Sequence, residues 1–234
     1  MKSRIVAALV VATALITTTA AMAQAAATSA AVPGGASLIA LPKPDVTGKV
    51  TLEKALATRR SVREYAPGAL TLGEVSQILW AAQGITGPGG KRTTPAAHAI
   101  YSLEIWLAAN DVKGLAPGIY RYVPQEHALA LASAGDHRAA VTAAANGQKS
   151  VEQAPAVVAI SGDSLQTAEK FHERGVAWLG MEAGFVVQSV YLQATALGLG
   201  TVMVGGFNDE PTRALLGLPA GKVPLALMPV GRRK

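Results

Sequence analysis

Apolar residues recur at helical spacing in two segments of the first half of the chain. The first segment begins at Thr51. The second begins at Thr71, a predicted N-cap with Glu74 three residues later in a capping-box arrangement, and Gly84 marks its end. The apolar faces consist of Leu52 and Leu56 in the first segment and of Val75, Ile78, Leu79 and Ala82 in the second. The pattern therefore predicts two amphipathic helices.

Alternating or continuous apolar runs predict strands farther along the chain. Three segments separated by turns, residues 101–107, 118–123 and 128–131, predict an antiparallel meander. Residues 155–160 form a continuous apolar run, which is typical of a strand covered on both faces. The other predicted elements are strands at residues 201–204 and 225–230 and short helices at residues 136–146 and 209–216.

The longest helical pattern runs from about Ser164 to Leu197. One of its faces is marked by Val176, Leu179, Ala183, Val186, Val190, Ala194 and Leu197. Residues such as Met181 and Phe185 make the other faces apolar too, which predicts a helix buried nearly all round. This excess of apolar residues is explained equally well by a central core helix and by a helix shared across a subunit interface.

The first 23 residues have the three parts of a secretory signal peptide. Lys2 and Arg4 form the basic region, an apolar run follows, and Ala21-Met22-Ala23 is the cleavage motif. A membrane anchor would need about 20 uninterrupted apolar residues, and three threonines follow this run too soon. Residues 24–49, rich in Ala, Ser, Gly and Pro, predict a flexible spacer. We therefore predict a periplasmic or secreted protein, not inserted in a membrane after cleavage, with one folded domain at residues 50–234.

Composition excludes several classes of function. The chain has no cysteine, which excludes disulfides, thiolate metal sites and lipid attachment at a cysteine. Without the 23-residue signal, 211 of the 234 residues remain and the net charge falls from +6 to +4, which alone does not indicate nucleic acid. No basic stripe interleaved with aromatic residues is present either. The four histidines show no metal-ligand spacing, and no acidic pair or nucleophile elbow indicates a hydrolase.

Three guanidinium groups and one hydroxyl occupy the five residues from Arg59 to Arg63. The planar fork of donors on arginine matches phosphate bidentately, and Ser61 adds a hydroxyl donor. One phosphate monoester carries a charge of roughly −1.5 to −2 and would balance much of this positive charge. The cluster therefore predicts a phosphate site, and the alternative is a solvated basic helix end.

Four groups of residues together resemble the nitroreductase superfamily of flavin mononucleotide (FMN) enzymes and, within it, the SagB/ThcOx-type dehydrogenase branch. They are residues 59–65, residues 77–86, residues 92–97 ahead of 101–104, and residues 198–201 with 205–207 and 229–232. The resemblance extends from about Val50 to the C-terminus. It implies an α+β, nitroreductase-like three-layer fold, in which a mixed or antiparallel sheet is flanked by helices, one of them long and central. It also implies an intertwined homodimer.

The same resemblance implies a flavin site at the subunit interface. The implied cofactor-binding residues are Arg59, Arg60, Ser61 and Arg63 for the phosphate and ribityl chain, Pro95, Ala96 and Ala97 from the partner subunit, Gly205 and Gly206 for the ring, and Arg232 and Arg233 for the phosphate. The glycines would let backbone amides approach the isoalloxazine ring. An ordinary turn at the glycines and a disordered basic tail at the terminal arginines are the alternatives.

Two places depart from the family pattern. Ala96 stands where the family often has Ser, and His98 stands where it often has Gly, near the implied flavin edge. The azoline-oxidising branch uses a Lys-Tyr pair in catalysis, whereas this chain has Lys170-Phe171 near the comparable place. The alternatives are a surface or packing role for His98 and a solvated position for Lys170. No catalytic residue is assigned.

These observations predict an exported FMN-dependent oxidoreductase of the nitroreductase and SagB type. It would transfer hydride through the flavin to or from a small organic substrate. NAD(P)H is a candidate electron donor, although its scarcity outside the cytoplasm argues against it. The alternative is a non-catalytic descendant that binds flavin or another phosphorylated ligand, which the missing hydroxyl at Ala96 and the missing phenol at Phe171 favour.

Overall fold

A computed structural model describes residues 37–234, in twelve strands and seven α-helices. The strands are β1 (Leu38–Ala40), β2 (Tyr65–Ala66), β3 (Leu70–Thr71), β4 (Ile85–Gly87), β5 (Lys91–Arg92), β6 (Leu103–Ala109), β7 (Val112–Lys113), β8 (Gly118–Val123), β9 (Ala128–Ala134), β10 (Ala156–Asp163), β11 (Leu199–Thr201) and β12 (Lys222–Arg233). The helices are α1 (Leu52–Thr58), α2 (Leu72–Gln83), α3 (Arg138–Ala144), α4 (Lys149–Glu152), α5 (Ser164–Phe171), α6 (Arg174–Ala196) and α7 (Asp209–Leu216).

The main sheet has eight strands in the order β1-β9-β8-β6-β10-β12-β11, and β2 pairs with the end of β12. Every pairing in this sheet is antiparallel. The predicted meander is confirmed, because β6, β8 and β9, which follow one another in sequence apart from the two-residue β7, lie side by side.

Helices cover both faces of the sheet. Leu103, Ile105 and Leu107 of β6 are buried in one core with residues of α2 and α6. Trp106 and Ala108, which point to the opposite face, are buried in a second core with residues of α3 and α7. The three-layer α+β fold that the resemblance implied is confirmed.

The two predicted N-terminal helix starts are confirmed. The Thr51 side chain accepts a hydrogen bond from Lys54 N and caps α1. At α2 the Thr71 hydroxyl accepts from Glu74 N, while the Glu74 carboxylate accepts from Thr71 N, so the capping box is complete. Gly84 is the C-cap of α2, as predicted.

The single long helix predicted for residues 164–197 is wrong, because the structure divides it into α5 and α6. His172 ends α5 with a backbone φ of 52°, a left-handed conformation that no helix continues through. The chain then turns back so that α6 packs against α5, and a Cβ at Gly175 would overlap the Thr167 carbonyl. Close approach of the two helices therefore requires glycine at this position.

The prediction that this helix is buried nearly all round is also wrong for a single chain. Val176, Met181 and Phe185 of α6 are 64%, 54% and 47% exposed. Leu52 and Leu56 of α1, a helix that packs against α6, are also exposed. The apolar surplus seen in the sequence thus remains on the surface of the subunit.

The boundaries of the folded part also differ from those predicted. β1 lies inside the segment predicted as a spacer, where it pairs with β9 and leads to the buried Leu41. The last strand is longer than predicted and includes Arg232 and Arg233, which therefore do not form a disordered tail. The predicted signal peptide lies outside the described residues. Among residues 37–234, no helix is both long and apolar enough to cross a membrane.

Candidate functional site

The arginine cluster, residues 59–63, lies on extended chain directly after α1. Arg59 is the C-cap of α1 and has left the helical conformation. Arg60 turns back, and its guanidinium donates to the carbonyl oxygens of Ala57 and Arg59, at the negative end of the helix dipole. Among the described residues, no carboxylate forms an ion pair with Arg59, Arg60 or Arg63. The cluster is thus a concentration of uncompensated positive charge.

Tyr191 of α6 connects this cluster to the chain after β11. The Arg59 guanidinium lies 4.9 Å from the centre of the Tyr191 ring, a cation–π contact. The Tyr191 hydroxyl accepts from Met203 N at 2.8 Å and lies 3.1 Å from Ser61 Oγ. When Tyr191 donates to Ser61, the Ser61 proton remains available for a ligand.

Main-chain contacts fix the position of the arginine cluster. Val62 N donates to Thr201 O at 2.9 Å, which joins the cluster to β11. The buried Tyr65 hydroxyl lies within hydrogen-bonding distance of Val62 O and Pro229 O, at 3.1 and 3.0 Å. The guanidinium groups therefore extend from a segment held at both ends.

The turn at Gly205-Gly206 is exposed and follows the Tyr191-bound Met203 closely. Gly206 O accepts hydrogen bonds from Asn146 Nδ2 and Gln148 Nε2, at 3.0 and 2.9 Å. Neither glycine N–H has a backbone acceptor within residues 37–234, so both donors are available to a ligand. A Cβ at Gly206 would meet nothing closer than 4.0 Å, so no contact within the chain demands glycine there. Close approach of a ligand to the backbone would account for glycine at this position.

The loop at Pro95-Ala96-Ala97 is bound to the middle of α6. Ala97 N donates to Glu182 Oε1 at 2.6 Å. Glu182 is only 6% exposed, and burial raises the pKa of its carboxyl group, while the bond from Ala97 N opposes this rise. A buried carboxylate therefore holds the loop that the resemblance assigns to the flavin of the partner subunit.

This loop and the arginine cluster occupy different stretches of α6. The loop meets Glu182, and the cluster meets Tyr191, nine residues farther along the helix. At 1.5 Å per residue, the two contact points are about 13 Å apart along the helix axis. A single subunit therefore does not bring the two predicted halves of the site into contact through these residues.

His98 and Phe171, one residue from each of the two places that depart from the family pattern, lie together. Their rings are stacked with centroids 5.5 Å apart, and Phe171 in turn lies 4.9 Å from Trp178. His98 and the following Ala99 both have positive φ, which is uncommon for residues other than glycine. Lys170 is exposed at the end of α5. The strained loop thus presents an imidazole ring beside Ala97.

The structure gives Arg232 a partner that the sequence did not suggest. Its guanidinium binds the Glu74 carboxylate through two nitrogens, one of them at 2.8 Å, and donates to Ala69 O at 2.9 Å. Its charge is therefore compensated, which weakens the case for a phosphate ligand. Arg233 is exposed at the end of β12.

Two residues of this region, Glu182 and Tyr191, were missed by the sequence analysis. Glu182 is the one carboxylate within the apolar sequence of α6, and this isolated charge could have marked it as a candidate functional residue. Tyr191 lies in the same pattern as an ordinary packing residue and is 130 positions from Ser61. Only the folded chain brings it to the cluster.

Replacing Glu182 by Gln is expected to change how stability depends on pH. Because burial raises the folded-state pKa of Glu182, its contribution to stability is full below the unfolded-state pKa and is lost as pH rises through the folded-state pKa. Gln keeps an acceptor for Ala97 N without carrying a charge. The stability of Glu182→Gln relative to the wild type should therefore rise as the pH increases from the ordinary glutamate pKa of 4.5 through the raised folded-state pKa.

Urea unfolding at several pH values measures this difference in free energy. Glu169→Gln, at an exposed position of α5, is the matched control, and its stability should follow that of the wild type at each pH. A constant difference between Glu182→Gln and the wild type would contradict the expected role of the buried charge.

Comparison with known proteins identifies the family. The model of the nitroreductase family matches residues 56–232. A protein of Methanocaldococcus jannaschii whose name assigns it to the nitroreductases is 42% identical over 190 residues, 81% of this chain and 94% of that protein. A crystal structure from Ralstonia eutropha JMP134, also named as a nitroreductase, has a TM-score of 0.74 and 28% identity, covering 84% of this chain and 90% of its own.

A more distant relative is the trifolitoxin operon protein TfxC of Rhizobium leguminosarum bv. trifolii. It is 24% identical over 199 residues, which cover 78% of this chain and 56% of that protein. The family match, in contrast, extends from α1 almost to the end of β12 and includes the arginine cluster, the loop at Ala97 and the glycine turn. The chain therefore belongs to the nitroreductase family.

Proposed function

We propose that the protein is an FMN-dependent oxidoreductase. The observation that carries this proposal is the arginine cluster, whose three guanidinium groups have no carboxylate partner among residues 37–234. Like charges at such short spacing repel one another, and a phosphate group bound between them would relieve that repulsion. Membership in the nitroreductase family supports flavin as the molecule that carries the phosphate.

The residues present fit such a ligand. Arg59, Arg63 and the Ser61 hydroxyl would bind the phosphate and ribityl chain, and Arg60 would add charge from its position on the end of α1. The exposed turn at Gly205-Gly206 would offer its N–H groups to the ring. When bound, the flavin would supply hydride transfer, while the protein binds it, orients it and excludes water.

We also propose that two chains form the complete site as a homodimer. The exposed apolar side chains of Val176, Met181 and Phe185 lie on the helix that carries both Glu182 and Tyr191. Of these, Met181 and Phe185 are four residues apart and lie on one face of α6, and exposed apolar side chains grouped on one face are typical of a subunit interface. Pairing through α6 would bring the loop at Ala97 of one subunit toward the arginine cluster of its partner, whereas within one chain the two contact α6 at points about 13 Å apart.

The substrate in this proposal is a small organic molecule. The similarity to the trifolitoxin operon protein supports placement in the SagB/ThcOx-type branch, at a level of identity that carries no substrate with it. Phe171 has no phenol to contribute, and its ring is occupied by stacking on His98 and Trp178. Azoline oxidation by a Lys-Tyr pair is therefore disfavoured.

The N-terminal sequence leads us to propose a periplasmic or secreted location. The signal-peptide pattern at residues 1–23 is the basis for this part of the proposal. An exported protein would acquire its flavin after crossing the membrane and would need an electron donor other than cytoplasmic NAD(P)H. A donor from the cell envelope fits that requirement.

The second candidate function is binding without catalysis, of flavin or of another phosphorylated ligand. Ala96 lacks the hydroxyl that the family often carries, and Phe171 lacks the phenol. Both changes remove polar groups near the implied ring, whereas the arginine cluster is intact. This combination favours retention of a phosphate site after loss of the chemistry.

A visible absorption spectrum of the purified protein tests whether it binds flavin. The response of that spectrum to reductants then distinguishes the two candidate functions. Purified protein that has been incubated with FMN and freed of excess ligand is expected to show flavin absorption bands. Bleaching by dithionite and also by a physiological donor would support the oxidoreductase, whereas bleaching by dithionite alone would support the binding protein. A colourless protein after incubation with FMN would overturn both.

A further inference from the structure

Strands β6 and β8 separate at one end and leave a cleft in the main sheet. β6 pairs with β10 from Leu103 to Ala109, but it pairs with β8 only from Trp106 to Ala109. Beyond Trp106 the two strands diverge, and a cavity of about 130 Å³ lies between them. The cavity is lined by residues of β6 and β8 and by Arg92, Asp163 and Lys222.

The acidic groups of this cleft already have partners. The Glu104 carboxylate lies 2.6 Å from Lys222 Nζ and 3.8 Å from an Arg121 guanidinium nitrogen. Asp163 accepts a hydrogen bond from Gln166 N at 2.8 Å and caps α5. Arg92, Arg121 and Lys222 against Glu104 and Asp163 give the lining an excess of one positive charge.

Arg92, unlike Arg121 and Lys222, forms no ion pair with a carboxylate among the residues that the structure describes. Its guanidinium donates to Gln83 Oε1 at 2.8 Å and lies 4.3 Å from the centre of the Tyr101 ring. The Nε atom is buried and has no hydrogen-bond partner within residues 37–234. Burial lowers the pKa of Arg92, while the phenols of Tyr101 and Tyr122 oppose this effect. Charges removed from water in proteins are normally paired, and this partly buried guanidinium has no carboxylate partner among residues 37–234, so an anion would complete the arrangement.

We infer that the cleft between β6 and β8 binds a small organic monocarboxylate on Arg92. A guanidinium presents a planar set of donors that matches the two oxygens of a carboxylate. One negative charge balances the excess charge of the lining. Leu103, Ile105 and Val123 line the same cavity and would contact a short hydrocarbon tail. The volume suits an acid of a few carbon atoms.

This site is distinct from the proposed phosphate site but is connected to the loop at Ala97. Gln83, which accepts from Arg92, donates through Nε2 to Thr94 Oγ1 at 2.7 Å. Thr94 in turn donates to Ala82 O and directly precedes Pro95. A carboxylate on Arg92 would therefore act on the start of that loop through two hydrogen bonds. The inference does not depend on flavin binding.

Saturation-transfer NMR with propionate as the probe tests the site directly in the full-length protein. We expect transfer of magnetisation from the wild type to the propionate protons at constant ionic strength. Arg92→Gln should weaken the binding roughly tenfold or more, because a charge-assisted bond is lost. Lys91→Gln, which removes the same charge from the exposed neighbouring side chain, should bind propionate as the wild type does.

A second variant keeps the test decisive if Arg92→Gln does not fold. Gln125→Glu adds a negative charge at an exposed position that lines the cavity, and it should also weaken propionate binding. Absence of transfer to propionate in the wild type would overturn the inference. Equal binding by the wild type and by a folded Arg92→Gln or Gln125→Glu variant would overturn it too.

Discussion

Changing Arg59 and Arg63 together to Ala is expected to weaken FMN binding by roughly a hundredfold or more. A charge-assisted hydrogen bond contributes about 1.5–3 kcal/mol, and about 1.4 kcal/mol corresponds to a tenfold change in affinity. Neither side chain forms an ion pair within residues 37–234, so the fold should tolerate their loss. Quenching of flavin fluorescence during titration with FMN measures the affinity.

Two controls make this result specific to the phosphate. Lys91→Ala combined with Lys113→Ala changes the net charge equally at two exposed positions and should leave the affinity for FMN unchanged. Riboflavin carries the same ring and ribityl chain without a phosphate, so the wild type and the double arginine variant should differ far less in their affinity for riboflavin than for FMN. Equal affinities of both proteins for FMN would show that the arginine cluster does not hold the phosphate.

Placing a carboxylate on the exposed face of α6 is expected to separate the subunits. Phe185 is 47% exposed in the single chain, and Phe185→Asp would put an unpaired charge into the proposed interface. Burying such a charge costs several kcal/mol, so the dissociation constant of the dimer should rise roughly a hundredfold or more. Sedimentation velocity over a range of protein concentrations measures the change. FMN should be released as well, because the partner loop at Ala97 leaves with the other subunit.

Val46→Asp is the matched control for this experiment. Val46 is 76% exposed and lies outside α6, so a carboxylate there should leave the association state unchanged. A wild type that sediments as a monomer at all concentrations would contradict the proposed dimer. A Phe185→Asp protein that remains dimeric would instead show that the subunits pair through another surface.

Local signals in the sequence predicted most of the elements that build the fold. The capping box at Thr71 and the C-cap at Gly84 are formed by residues within one helix and its ends, so their sequence spacing is sufficient. The strands of the meander are joined by short turns, and adjacent strands in sequence pair in space. The arginine cluster was visible for the same reason, because its charges are contiguous in the chain.

The break between α5 and α6 could not be read from the apolar pattern. No proline or run of glycines interrupts residues 164–197, so no strong helix-breaking signal marks His172. The break exists because the chain turns so that α5 packs back on α6, with Gly175 against the Thr167 carbonyl. Tertiary packing therefore overrode a continuous local pattern.

The partners of two charged residues likewise could not be predicted from the sequence. The family resemblance implied that Arg232, the last residue of the matching segment 229–232, binds phosphate, but Glu74, 158 residues earlier, compensates its charge. Glu182 was not singled out, yet it holds Ala97 N across 85 positions of sequence. Such pairings depend on which elements meet, and residue type alone does not specify them.

The sequence by itself determined the elements, the antiparallel meander and a cluster of positive charge suited to phosphate, because each depends on residues near one another in the chain. Only the tertiary structure decided that α6 keeps an uncovered apolar face beside Glu182 and Tyr191. It alone decided that Arg232 is neutralised while the arginine cluster is not. Burial and charge compensation are properties of contacts between distant segments, and these contacts exist only once the chain has folded.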